Sequence, residues 1–233
     1  MESFRSEILS QIEVVPEGRI FTFQNLVFPI DKFANVAVLL SELTKKNKLN
    51  RIEKGAYYKP RESKLGLGML PVYQEEQLNY LTNKLGGYLT GPYIYNKMSL
   101  TEQVPTVITI AVHQPVRPFK FKKLFIKCVK AYVNGSYSDE ILRLLRILDA
   151  IKDLKHIPGI SPQIAYNKIF YFHLQPLSSK ELERLTSFAM QYPARVRKIL
   201  SDMLERNKNY DLKKQLVGTI CPTTRFDLPY EAA

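Results

Sequence analysis

Three histidines (His113, His156, His173), two cysteines (Cys128, Cys221) and a Gly135-Ser136 pair ahead of Asp139-Glu140 are the residues with which this 233-residue chain could do covalent or metal chemistry. No histidine is followed four residues on by a second ligand type, so no helix presents a paired metal site. The cysteines stand far apart with no further ligand at zinc spacing, and they read as buried, reduced thiols. A Gly-Ser pair before two acids is faintly the pattern of a nucleotidyltransferase, where two carboxylates on one strand hold metal ions. Strand side chains alternate between faces, so those carboxylates must be spaced D-x-D or D-x-E to converge. Here Asp139 and Glu140 are adjacent, and neither spacing occurs in the chain. The G-x-S-x-G elbow, the G-x-x-x-x-G-K-[ST] loop and the G-x-G-x-x-G fingerprint are missing too, and Gly66-Leu67-Gly68 lacks the third glycine. These residues point away from an enzyme: no catalytic residue, no metal and no cofactor is expected.

What the chain does carry is positive charge, +12 in all. From Lys45 to Lys64 there are eight basic residues, Lys45, Lys46, Lys48, Arg51, Lys54, Lys59, Arg61 and Lys64, against Glu53 and Glu62. From Arg117 to Lys130 there are six, Arg117, Lys120, Lys122, Lys123, Lys127 and Lys130, and no acid. Acids and bases balance in the remainder, so two short runs hold the whole excess. That concentration implies a polyanionic partner. At 45% hydrophobic and 24% charged residues the composition is that of an ordinary globular protein, not a disordered tail or a disulfide scaffold. No run of about 18 apolar residues and no leader segment is visible, so we expect a cytoplasmic chain without a membrane partner.

The elements that must position these charges follow from periodicity. Residues 3–13 read as a helix capped by Ser3, with Phe4, Ile8, Leu9 and Ile12 as its stripe. Ile20 to Thr22 reads as a short strand and Phe23 to Val27 as a helical turn or two. A helix capped by Asp31 then runs to about Lys46, with Phe33, Val36, Leu40 and Leu43 inward. Leu49–Ile52 and Ala56–Lys59 around Lys54-Gly55 make a hairpin that Pro60 ends. Helix, strand, short helix, helix and hairpin is the layout of a winged helix-turn-helix, whose third helix enters the major groove while the hairpin tracks phosphates. Lys32, Asn35 and Ser41 are then the candidate groove contacts. Lys45, Lys48, Arg51, Lys54, Lys59 and Arg61 are the candidate phosphate contacts, and Glu42 is a residue that would repel phosphate. We place this domain at residues 1–62.

Residues 63–233 read as a second, larger mixed α/β domain. Residues 61–72 look like a linker or crossover, and Tyr73 to Leu85 like a helix. A small sheet is expected over residues 105–130, built on the β-branched run Val107–Val112 and a strand pair across Lys120–Val129. Phe119, Phe121 and Phe125 would face the core and leave the lysines as one charged face for an acidic partner or RNA. Helices are expected at 139–154, at 178–192 behind the Ser178/Glu181 capping box, and at 193–206 behind Pro193. The fold class is thus α+β, a winged helix-turn-helix followed by a larger α/β domain ending in helices.

Two stretches also carry a family resemblance. The pattern Leu40-Ser41, Leu43, Lys45, Lys48-Leu49, Arg51-Ile52, Lys54-Gly55 and Tyr57 to Pro60 resembles the N-terminal winged helix of AbiEi-like antitoxins of bacterial type IV toxin–antitoxin systems. Thr90-Gly91, Leu100-Thr101 and Gln103-Val104-Pro105 are similar to a later stretch of the same family, so the resemblance covers roughly residues 5–130. It departs at Ala37 and Val38, where such proteins usually carry charged or polar residues. The resemblance implies a transcriptional regulator that binds operator DNA as a double strand and counteracts a nucleotidyltransferase-type toxin. The alternative, from the residues alone, is an interaction module whose winged helix contacts a protein and not DNA.

Overall fold

Apolar residues at helical spacing wind the first stretch into α1 (Phe4–Val14), which buries Ile8 and Ile12. In this computed structural model residues 4–63 and 68–223 are described, so the expected Ser3 cap, Lys64 and the Gly66-Leu67 pair lie outside the described residues. The chain divides into two units, Met1–Lys84 and Leu85–Ala233.

In the first unit, β1 (Ile20–Thr22) leads into a single 3-10 turn, Phe23–Asn25, closed by a Thr22/Asn25 capping box. After Pro29 a second 3-10 turn, Ile30–Lys32, absorbs Asp31, so Asp31 does not cap the next helix as expected. That helix, α2 (Phe33–Lys45), starts at Phe33 with Lys32 at its N-cap. It buries Val36, Leu39, Leu40 and Leu43. Phe33, expected inward, is half exposed and leans on the Phe23 ring with 4.7 Å between centroids. The hairpin forms from β2 (Asn50–Glu53) and β3 (Ala56–Tyr58), and β3 pairs on its other side with β1 in an antiparallel sheet of order β1-β3-β2. Glu53 faces Ala56 across the loop, and Gly55 supplies the φ of +83° that so tight a reversal needs. Ile8, Phe21, Leu40, Leu49 and Tyr57 meet in one core.

Within residues 61–72, expected as a linker or crossover, the described residues include two short paired strands. β4 (Arg61–Glu62) pairs with β5 (Met69–Leu70) as a second small hairpin. The helix after it, α3 (Gln74–Leu85), is tied to the first unit by its polar side chains. Glu76 accepts the Ile20 N–H at 3.0 Å, and Tyr80 and Lys84 both reach the Glu53 carboxylate. Those bonds hold α3 to the β-strands of the first unit.

The second unit is built on a four-stranded sheet of order β6-β7-β9-β8: β6 (Tyr88–Thr90), β7 (Val107–Val112), β8 (Phe119–Phe121) and β9 (Leu124–Lys130). β7 and β9 run parallel, and the outer strands pair antiparallel. β6 was not expected, because it lies between Gly86-Gly87 and the Gly91-Pro92 break. Gly91 follows it at φ +70° and ψ −162°, opening α4 (Pro92–Lys97). A Cβ there would sit 2.8 Å from Thr109 Oγ1. That backbone region is essentially reserved for glycine, so Gly91→Ala is expected to cost about 1–3 kcal/mol in strain alone. Thermal unfolding of that variant checks it, and an unshifted midpoint would refute it.

The rest is helical: α5 (Asp139–Lys152), α6 (Pro162–Lys168), α7 (Ser179–Ala189), α8 (Ala194–Arg206) and α9 (Tyr210–Val217). Ser138 caps α5 with Asp139 and Glu140 in its first turn, which disposes of a metal-binding strand there. The Ser178/Glu181 capping box forms as expected, with α7 ending three residues early, at Ala189. α6 and the π-turn Ile169–Leu174 after it were not foreseen. Leu144, Leu148, Leu185, Ile199 and Met203 fill the shared core. The fold is α+β.

Candidate nucleic-acid interface

On α2, Asn35, Val38, Ser41 and Lys45 recur at helical spacing and are all exposed, on the side opposite the buried Val36, Leu40 and Leu43. Lys32 stands exposed just ahead of them, within 3.5 Å of Asp31. Lys48, in the turn after α2, and Arg51 and Lys54, on β2 and in the hairpin loop, are exposed as well. Arg51 Nε donates to the Glu53 carbonyl at 3.2 Å, which leans the side chain along the hairpin. Glu42 is the one acid within α2, and its effect is blunted. Arg5 from α1 pairs with it at 2.7 Å and holds its carboxyl below the usual range.

Two expected phosphate contacts do not belong to this set. Lys59 is half buried, and its Nζ donates to the Glu13 carbonyl at 2.7 Å. Arg61 donates to the Tyr73 hydroxyl and lies 4.0 Å over that ring. Counting charge along the sequence does not reveal these internal partners. The same unit exposes apolar side chains around the start of α2, namely Val27, Ile30 (92% exposed), Phe33 and Val38.

The second basic run is not the uniform face expected. Lys120, Lys122, Lys123, Lys127, Lys130 and Arg117 are all exposed, but Phe125 is 47% exposed and sits among them. Only Phe121 of the three phenylalanines is buried, and Phe119 is intermediate. Lys130 pairs with Val112, one residue out of phase with the row of Lys127, and its Nζ lies 5.3 Å over Tyr132.

Two of the three histidines are engaged within the fold. His113 Nε2 is 2.6 Å from the Tyr137 hydroxyl; His173 Nε2 is 2.9 Å from the Met98 carbonyl, and burial lowers its pKa. His156 is exposed at the end of a 3-10 turn. The cysteines are less buried than expected: Cys221 is exposed, and Cys128 is intermediate with its thiol pushed up by burial. Among the described residues no group of three His, Cys, Asp or Glu side chains could hold a metal ion. No helix of the described residues is long and apolar enough to cross a membrane.

One polar cluster escaped the sequence reading. Asp149 of α5 is 1% exposed. Its Oδ2 accepts from Thr90 Oγ1 at 2.7 Å and from the Tyr88 hydroxyl at 3.1 Å, and its Oδ1 accepts from the Tyr192 hydroxyl at 3.1 Å. Lys152 Nζ stands 3.6 Å from Oδ1, and Asp153 accepts from Tyr95 at 2.7 Å. Burial raises the Asp149 carboxyl against the pull of Lys152 and the hydroxyls, and burial with the Asp149 charge drives Tyr88 and Tyr192 far above the ordinary phenol range. The tyrosines therefore stay protonated and can donate to Asp149. The one sequence signal is an acid set among Ile147, Leu148, Ala150 and Ile151.

A family model described as "Family of unknown function (DUF6088)" matches residues 7–163, a span that runs from α1 into α6 and stops short of α7 to α9. No curated protein matches the chain in sequence. Among solved structures the chain is similar to the crystal structure of RV2827C protein from Mycobacterium tuberculosis, at 12% identity and a TM-score of 0.50, over 94% of this chain and 82% of that one. That likeness is one of fold.

Proposed function

The chain belongs to the DUF6088 family, and we propose that it is a DNA-binding regulator of the antitoxin type, not an enzyme. In this reading the N-terminal unit is a winged helix. α2 lies in the major groove with Asn35 and Ser41 toward base edges, and the β2–β3 hairpin is the wing along the backbone. The observation that carries it is the exposed set Lys32, Lys45, Lys48, Arg51 and Lys54, all on or beside α2 and its following hairpin, with the acid of α2 already paired to Arg5. Phosphate contacts of this kind release counterions, so duplex affinity should fall steeply with salt. Five neutralised phosphates give a slope of roughly −4.5 in log affinity against log salt. Fluorescence anisotropy of the full chain on duplex DNA across a salt series measures it, and a flat response or no binding overturns the reading. Regulation of a nucleotidyltransferase-type toxin rests on the sequence resemblance and is tested by co-expression with a nucleotidyltransferase-type protein, if the adjacent gene encodes one.

A second reading is favoured by the exposed Val27, Ile30, Phe33 and Val38. Where exposed apolar side chains gather in one patch they mark protein contacts, and in this reading the same unit holds a protein partner. That reading expects no duplex binding above background in the salt series.

A further inference from the structure

The register of the second sheet sorts its side chains into rows. Tyr88, Ala111 and Val129 share one row; Thr90, Thr109 and Lys127 share the next; Val107, Phe125 and Lys120 share the third. Rows two residues apart lie on one face of a sheet. α5 covers the β6 side of that face, where Tyr88 and Thr90 bond to the buried Asp149. Among the described residues nothing buries the β8–β9 side of the same face, and it presents an exposed aromatic ring, Phe125, with Lys120 directly across from it and Lys127 one row on. The β8–β9 turn adds Lys122 and Lys123, with Lys122 at φ +53°, and no acid occurs between Arg117 and Lys130.

We propose that this open half-face, with Phe125 as a stacking platform and Lys120, Lys127 and the turn lysines as phosphate contacts, binds single-stranded nucleic acid. A base released from pairing has a free π-face that lies against a ring, while lysines follow its backbone. A duplex offers no such face, because its bases are already stacked. An acidic protein surface would answer the charge and leave Phe125 unexplained. The inference is independent of the duplex reading of the N-terminal unit.

The chain contains no tryptophan, so Phe125→Trp creates a lone reporter at the platform. The full chain is used, carrying Arg51→Glu and Lys54→Glu so that the N-terminal lysines do not supply the binding. Titration with oligouridylate, oligothymidylate and a duplex of equal length should quench the emission with the single strands and not with the duplex. Quenching by RNA beyond DNA would show that the 2′-hydroxyl is read; equal quenching would show a site blind to the sugar. In parallel, Phe125→Ala should weaken single-strand affinity roughly 5- to 150-fold by anisotropy, while Phe125→Tyr retains it. Single-strand affinity unchanged in Phe125→Ala, no single-strand binding at all, or equal quenching by the duplex overturns the proposal.

Discussion

Replacing Asp149 by leucine is expected to cost the second unit about 3–5 kcal/mol, the scale seen when a buried ionic cluster loses one partner. The reason is what remains. Tyr88, Thr90 and Tyr192 would keep buried hydroxyls without the carboxylate that accepts from all three, and Lys152 would lose its nearest charge. Each buried donor left without an acceptor costs about 1–3 kcal/mol. Asp149→Asn keeps one acceptor oxygen and should cost less. Urea unfolding followed by circular dichroism measures both, and a leucine variant as stable as the parent would show that the cluster is ornamental.

The same carboxyl gives a pH signature. Burial is the largest influence on Asp149 and raises its pKa, so the folded value lies above the unfolded one of about 3.9. The folded chain therefore holds this proton more tightly than the unfolded chain. Its contribution to stability is full below the unfolded value and is lost as pH rises through the folded one. Asp149→Asn abolishes that titration, so the parent should gain stability relative to the variant as pH is lowered across the window. Parallel stability curves would contradict the assignment.

How much of this was legible in the sequence depends on the range over which each signal acts. α2, β7, α5 and α8 are periodic over enough residues to be read directly, and the Ser178/Glu181 box and Lys54-Gly55 loop are local chemistry. The strands β4, β5 and β6 hold two or three residues each and are flanked by Pro and Gly residues that read as breaks. Phe125 was misplaced for a reason of parity. Phe119, Phe121 and Phe125 are separated by even numbers of residues, and one continuous strand would put them on one face. A two-residue turn at Lys122-Lys123 pairs Phe121 with Leu124 and Lys120 with Phe125, which flips the phase and turns Phe125 outward. The internal partners of Lys59, Arg61 and Asp149 are not legible because they are distant in sequence: Glu13 lies 46 residues from Lys59, and Thr90 lies 59 from Asp149. Periodicity finds the faces of elements, while contacts between elements decide which charges remain for a ligand.

That partition of charges makes the second large effect a selective one. Reversing Arg51 and Lys54 together to glutamate should lower duplex affinity on the order of 100-fold at moderate salt, since two phosphate attractions become repulsions. The salt slope should shrink by roughly 2, one for each contact removed. Both side chains are exposed on the hairpin, so the fold should survive, and an unchanged circular dichroism spectrum checks that. Lys59→Ala and Arg61→Ala are the contrasting pair. Lys59 is spent on the Glu13 carbonyl and Arg61 on Tyr73, so their loss should leave the salt slope alone and lower the thermal midpoint instead. If all four substitutions reduced the slope alike, the basic run would be acting as a diffuse charge and not as a wing. If Arg51→Glu with Lys54→Glu bound duplex as tightly as the parent, the apolar surface around Ile30 and Phe33 would become the functional face of the first unit.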